Sequence, residues 1–299
     1  MKHSYYEASA RERVAGILDP ASFGEILPPS DRVASPHLRA LDLPAAFDDG
    51  VVIGSGRLDG RAVLIAAQEG GFMGGAVGEV HGAKIVGLLE RAVLEHCDAA
   101  LLLLESGGVR LQEANAGLIA VSEVMRAILA ARASGIAVLA TIGGQYGCFG
   151  GMGIAARCCS AIVMSEEGRL GLSGPEVIET ANGVEEFDSR DRALVWRTVG
   201  GKHRYLIGDC DRLVDDEIDE FRTALIDLMR DPPALTLADV AREHEMLTQR
   251  IEWFGDLADA RDVWRALGWD EPEQVSALDA SEFTRYAATR RAGASEAAR

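Results

Sequence analysis

Leu101-Leu102-Leu103-Leu104-Glu105-Ser106-Gly107-Gly108-Val109-Arg110 and Ile136-Ala137-Val138-Leu139-Ala140-Thr141-Ile142-Gly143-Gly144-Gln145-Tyr146-Gly147-Cys148-Phe149-Gly150-Gly151-Met152-Gly153 carry one pattern twice: an apolar run, then glycines, then a helix start. Continuous rather than alternating apolar residues are the mark of a strand buried on both faces. Apolar residues at helical spacing over 84–96 (Ile85, Leu88, Leu89, Ala92, Val93) and over 111–132 (Leu118, Val121, Met125, Ile128, Leu129) place helices between strand candidates 99–104, 136–142 and 160–164. That order predicts an α/β fold with a mostly parallel, helix-covered sheet and right-handed crossovers. Val51–Leu58 and Arg61–Ala67, joined by Asp59-Gly60, read as a hairpin that opens the sheet.

Working outward, residues 1–50 hold five of the nine prolines and read as a helical and extended arm, an appendage to a core over 51–230. Residues 231–299 read as a helical C-terminal extension whose last residues, 292–299, fray. Helices are expected over 175–181, 189–199, 215–229, 237–254 and 258–267. Apolar residues make up 48% of the 299, enough for a substantial core. Lysine and arginine number 30 against 47 aspartate and glutamate, a formal charge of −17 that argues against broad nucleic-acid or anionic-membrane binding. No apolar run approaches the ~18 residues of a membrane span and Met1 to Glu7 lack a signal-peptide core, so a cytoplasmic location is expected. The five cysteines have no paired CxxC spacing, so neither a disulfide framework nor a metal site is expected.

Glycines after a buried strand let backbone N–H groups face a cleft, and two such cradles can hold the oxygen of an enolate or of a tetrahedral adduct. The helix expected from Leu111 adds its positive end beside Gly107-Gly108. The plain alternative is that the glycines only permit tight turns. The 143–153 loop has neither the order nor the lysine of a P-loop. A third group, Gly70 to Lys84, could bring backbone against a long ligand or form a closing lid; within it His81 is either a proton donor or a structural residue, and Lys84 reads as a surface lysine. Arg190, Arg192, Arg197, Lys202 and Arg204, with His203 and with Arg157 further back, could meet the phosphates of a coenzyme A-like arm or an acidic carrier domain. They could equally form a solvated face paired with Glu185, Glu186 and Asp188. Ser106 lacks a nucleophile elbow, and Cys148 has no neighbouring histidine.

The runs Glu105-Ser106-Gly107-Gly108-Val109-Arg110-Leu111-Gln112-Glu113 and Gly174-Pro175-Glu176-Val177-Ile178-Glu179 carry a specific resemblance when taken together with Phe72-Met73-Gly74-Gly75, Gly143-Gly144 and the 10–23 segment. The chain resembles the carboxyltransferase branch of the crotonase superfamily, and within it the beta subunits of biotin-independent malonate decarboxylases. That resemblance implies a spiral of ββα units, a homologous gamma subunit as partner, and an active site between the two. It implies decarboxylation of a malonyl thioester on an acyl carrier protein with a dephospho-coenzyme A-like prosthetic group, in malonate catabolism, with no permanently bound cofactor and no biotin. The oxyanion hole maps onto Gly107 and Gly108, with Gly150 and Gly151 at the second loop; Gly74, Gly75, Val109, Arg110, Gly143, Gly144, Gly174 and Pro175 map beside the substrate. No cysteine precedes Cys97, unlike the acetyl-coenzyme A carboxylase beta subunits with their N-terminal zinc ribbon, and no second homologous half follows, so a separate partner is expected. A biotin-dependent carboxyltransferase subunit and a non-catalytic, carrier-binding scaffold are the competing readings.

Overall fold

Asp59 and Gly60 both take left-handed backbone (φ 53° and 74°), which is what a two-residue hairpin needs to match strand twist. The turn therefore pairs β2 (Val51–Leu58) with β3 (Arg61–Gln68) antiparallel along their whole length. On the outer side of β2 lies β1 (Gly24–Ile26), also antiparallel. On the inner side β4 (Ala99–Leu103), β5 (Ala137–Ile142), β6 (Ala161–Ser165) and β7 (Arg212–Val214) follow in parallel, giving a seven-stranded sheet in chain order. This computed structural model describes residues 3–291; the 292–299 tail expected to fray lies outside them.

Both faces of the sheet are covered, which accounts for the unbroken apolar runs. Along β4, Ala100 and Leu102 point into one core with Leu88, Val124 and Ile128, while Ala99, Leu101 and Leu103 point into the other with Val14, Ile17, Phe221 and Leu225. The first face is packed by α3 (Glu79–Glu95), α4 (Asn115–Ala133) and α5 (Gly150–Arg157), the second by α1 (Ala10–Ile17) and α9 (Ile218–Arg230). Short helices α2 (Pro36–Ala40), α6 (Pro175–Asn182), α7 (Arg192–Val199) and α8 (Gly201–Leu206) fill connections, and α10 (Leu237–Phe254), α11 (Ala260–Ala266) and α12 (Ala280–Ala287) make the C-terminal extension.

A second, vestigial ladder stands at the C-terminal ends of the strands. Its rungs are single bridges, Val77 to Val109, Ser106 to Cys148 and Cys148 to Leu170, all parallel. Each unit is thus a long strand, a one-residue second strand and a helix, the form in which the expected ββα spiral is realised here. Two expectations need correction. Tyr5, Ala10, Val14 and Ile17 are fully buried or nearly so, which makes the start of the arm a part of the core instead of an appendage. And α4 starts at Asn115, not Leu111: residues 111–113 form a separate 3-10 turn, and Ala114 at φ 45° breaks the helical path.

Candidate functional site: a zipped triad of glycine loops

The three glycine segments that the sequence singles out meet at the C-terminal edge of the sheet. The Ser106 amide donates to the Gly147 carbonyl (2.7 Å) and the Phe149 amide to the Ser106 carbonyl (2.8 Å), locking the first loop to the second. On its other side the first loop is held by Gly107 N–H to the Gly74 carbonyl (2.8 Å), Val77 N–H to the Gly108 carbonyl (2.9 Å) and Arg110 N–H to the Val77 carbonyl (3.0 Å). Close approach demands glycine at 75, where a Cβ would stand 1.9 Å from the Glu105 carbonyl. Gly108 and Gly150 touch across the cleft: a Cβ on Gly150 would lie 3.2 Å from the Gly108 Cα, while a Cβ on Gly108 would enter open space.

These bonds decide which amides remain for a ligand. Gly107 N–H is spent on Gly74, Gly150 N–H on the Leu172 carbonyl (2.9 Å), and Gly108 N–H leans on Ser106 Oγ (3.2 Å). Among the described residues no acceptor takes the amide of Val109 or those of Gly151 and Met152 in the first turn of α5, whose N-cap Phe149 supplies no side-chain cap. A helix leaves its first amides unpaired, so the α5 start presents N–H groups with the favourable end of its dipole. The two loops thus meet at Gly108 and Gly150, with the Gly107 and Gly150 N–H groups bonded within the fold and those of Val109 and Gly151 left open. Sequence reasoning missed this because the competing acceptors lie in other loops. The α4 N-terminus is separated from the glycines by the 111–113 turn.

Arg110 points inward. Its side chain is fully buried, bonding Asp49 Oδ2 (2.7 Å), Glu113 Oε1 (3.0 Å) and the carbonyls of Asp49 (2.8 Å) and Ala76 (2.9 Å). Gly143 and Gly144 are likewise buried: the first packs on Phe221 and Tyr5, the second on the Glu105 carboxylate. Gly74 lies under the Tyr146 ring, Gly174 beside Phe149, and Pro175 opens α6 at its first position, where its missing N–H costs nothing. Lys84 is buried, not a surface residue, with Nζ donating to the carbonyls of Asp48 (2.8 Å) and Val51 (2.6 Å). Ser106 Oγ is occupied within its own loop, and burial pushes the Cys148 thiol far up, so neither is a nucleophile.

His81 takes the structural role. Gln68 Oε1 accepts the Glu105 N–H (3.0 Å), so its amide nitrogen faces His81 Nε2 (3.1 Å); that nitrogen must accept, and Nδ1–H donates to the Asp49 carbonyl (3.0 Å). Burial, helped by Arg110, holds its pKa down to about 3 against an ordinary 6.5. The ring is neutral near pH 7. Between those values the unfolded chain binds a proton at this residue that the folded chain does not, so His81 makes stability fall as pH drops below 6.5, its own share being about 1.4 kcal/mol per unit. His81→Gln is expected to flatten the slope of urea midpoints between pH 7.5 and 5; an unchanged slope contradicts the assignment.

The basic run dissolves into internal pairs. Lys202 bonds Glu166 (2.7 Å), Arg204 and Arg250 both bond Asp209 (3.0 and 2.8 Å), Arg197 bonds Asp259 (3.1 Å), Arg157 bonds Glu243 (2.6 Å), and Trp264 donates to His203 Nδ1 (3.2 Å). Five of these residues latch the C-terminal extension to the core: Arg197, Arg157 and His203 by the contacts just given, Lys202 by donating to the Ser276 and Leu278 carbonyls, and Asp209 by accepting from Arg250 on α10. Arg190 and Arg192 stay exposed with no side-chain hydrogen bond or ion pair among the described residues. A cavity of about 940 Å³ lies between α10 and the start of β6, at the opposite end of the strands from the amides.

Residues 2–224 match the model of the carboxyl transferase domain family. The chain belongs to that family. Among curated relatives of this carboxyl transferase family chain, a malonyl-S-ACP:biotin-protein carboxyltransferase of Malonomonas rubra is 41% identical over 300 residues, covering 94% of each chain. The methylmalonyl-CoA carboxyltransferase 12S subunit of Propionibacterium freudenreichii is 33% identical, over 70% of this chain and 39% of its own length. Among solved structures, a chain of a Pseudomonas malonate decarboxylase hetero-tetramer in complex with malonate superposes with TM-score 0.80 at 42% identity, covering 89% of this chain and 97% of that one. A chain of the Pseudomonas hetero-dimer gives 0.66 at 39% identity, covering 82% and 96%. The resemblance to malonate decarboxylase subunits holds, as does the crotonase-like α/β fold. No helix among the described residues is long and apolar enough to cross a membrane.

Proposed function

We propose that this chain is the malonyl-thioester decarboxylating subunit of a malonate decarboxylase, acting with a homologous gamma subunit on malonyl-S-acyl carrier protein to release carbon dioxide and the acetyl thioester. The observation that carries the reading is the pair of open amides, Val109 and Gly151, on two loops zipped at Ser106 and Cys148 and in contact at Gly108 and Gly150. When the C–C bond to the carboxylate breaks, its electron pair moves onto the thioester oxygen, leaving an enolate. Preorganised N–H donors aimed at that oxygen stabilise the new charge, each worth about 2.7–4 kcal/mol. The enolate carbon then takes a proton, supplied in the end by solvent, and the acetyl thioester results. No side-chain base is needed for this route, in keeping with the structural roles of Ser106, His81 and Cys148.

The surroundings support a partner. Leu111, Leu118, Ile119, Ile154, Leu172 and Val177, in segments flanking the two loops, are 48–84% exposed, an apolar rim that a second subunit would cover. Covering it would exclude water, which strengthens the amide contacts. The Pseudomonas neighbours are hetero-oligomers by their descriptions. For the prosthetic-group phosphates, Arg190 and Arg192 are the available members of the basic run.

A second reading draws on the Malonomonas rubra relative, whose name makes a biotin protein the carboxyl acceptor. There the same enolate forms, but the carbon dioxide is captured on biotin, and the proton leaving biotin ends on the acetyl group. The complex of this chain with its partner subunit, given malonyl-CoA as the thioester and no biotin protein, is expected to release carbon dioxide. Turnover that appears only when a biotin protein is added, and is lost to avidin, would establish the biotin reading, and a complex that binds carrier protein but shows no turnover with or without the biotin protein would establish a scaffold.

A further inference from the structure

The donor loop is held from below by a residue of the N-terminal arm. Arg13, on α1, is 1% exposed, and each of its guanidinium nitrogens donates once: Nε to the Tyr5 carbonyl (2.9 Å), Nη2 to the Tyr6 carbonyl (3.4 Å) and Nη1 to the Glu105 carboxylate, with the Tyr5 ring 4.6 Å away in stacking contact. Glu105 is the residue that enters the first glycine loop. Its other oxygen accepts the Tyr146 amide (3.0 Å), in the second loop, and Gly70 and Gly144 leave room for its carboxylate. One buried carboxylate thus ties α1 to both loops, and its own amide is fixed by Gln68.

A buried ion pair adds little net stability over an apolar pair of the same size, because desolvation offsets the attraction; what it does enforce is geometry. Backbone donors for a developing charge need placement within about 0.5 Å. We propose that Arg13 is a positioning residue for the site: through Glu105 it sets the mutual register of the 105–110 and 144–151 loops and so the spacing of the Val109 and Gly151 amides. This rests on the assignment of those amides to the thioester oxygen. Arg13 touches no substrate, being enclosed by Tyr5, Tyr6 and Glu105.

The test uses the complex with the partner subunit and malonyl-CoA. Arg13→Met is expected to lower kcat about 100-fold, the scale of a displaced reacting group, while KM stays within about twofold. Amide hydrogen exchange is expected to quicken over 105–110 and 144–151 and not in α4. Arg13→Lys, which keeps the ion pair, is expected to recover most of kcat. Should Arg13→Met fail to fold, the double variant R13M/E105Q, which strands no buried charge, carries the same expectation. A folded variant of either kind with unaltered kcat overturns the positioning role, as does a loss carried by KM alone. A wild-type complex without carbon dioxide release defeats the functional reading instead, so the two failures are distinct.

Discussion

Gly108→Ala is expected to fold and to lose at least about 100-fold in turnover, the lower end of what removal of one oxyanion donor costs. The backbone at 108 has φ +134°, a conformation that L side chains rarely adopt, so the variant carries strain of about 1–3 kcal/mol. Nothing in the fold opposes the new methyl, since no atom lies within 4 Å of the Cβ position. The same openness is the basis of the expected loss of activity: under the proposed function the free space at Gly108, next in the chain to the open Val109 amide, is where the thioester approaches, and the methyl would take it. Steady-state rates of the complex, alongside a thermal melt, decide the matter. Near wild-type turnover in a folded variant would remove the loop from the chemistry. Gly108→Pro is the wrong instrument for this question, because proline holds φ near −65° and would rebuild the loop as well as delete an N–H.

The second large effect is on stability. Arg110→Met leaves the carboxylates of Asp49 and Glu113 buried without their cation, and breaking a buried pair in this way costs about 3–5 kcal/mol. Domains are held by roughly 5–15 kcal/mol in all, so the urea midpoint should fall steeply. Arg126→Met is the control: Arg126 also pairs with two glutamates, Glu90 and Glu123, but all three are about half exposed, and the midpoint should scarcely move. The outcome also discriminates between roles for Arg110. A substrate-binding arginine would raise KM and leave the midpoint alone, whereas the clamp described here lowers the midpoint.

Much of the scaffold was legible. Strands buried on both faces cannot hide their composition, so 99–104, 136–142 and 160–164 each lie within a residue of their strands, and the Asp59-Gly60 hairpin and the 237–254 helix follow from local chemistry alone. The three-residue strands β1 and β7 were not legible, being too short to show a period. Neither was the α4 start, since the strained Ala114 has no sequence mark.

The site was legible as a set of glycine loops and illegible as a set of donors. Glycine content states where backbone can approach a ligand, and the structure does bring the 70–78, 105–110 and 143–153 segments together. Whether a particular amide is free depends on the carbonyl opposite, and the acceptors Gly74 and Leu172 come from other parts of the chain. Charged residues follow the same rule. Arg110, Lys84 and the 190–204 cations look alike in sequence, yet all but Arg190 and Arg192 are consumed by internal partners, because a buried charge must be paired whatever else the residue type could do. The sequence by itself determined a helix-covered parallel sheet with main-chain cradles at its C-terminal edge, since burial and turn geometry are local demands. Only the tertiary structure decided which N–H groups face the cleft and which cations face inward, because each such decision is a competition among groups far apart in the chain.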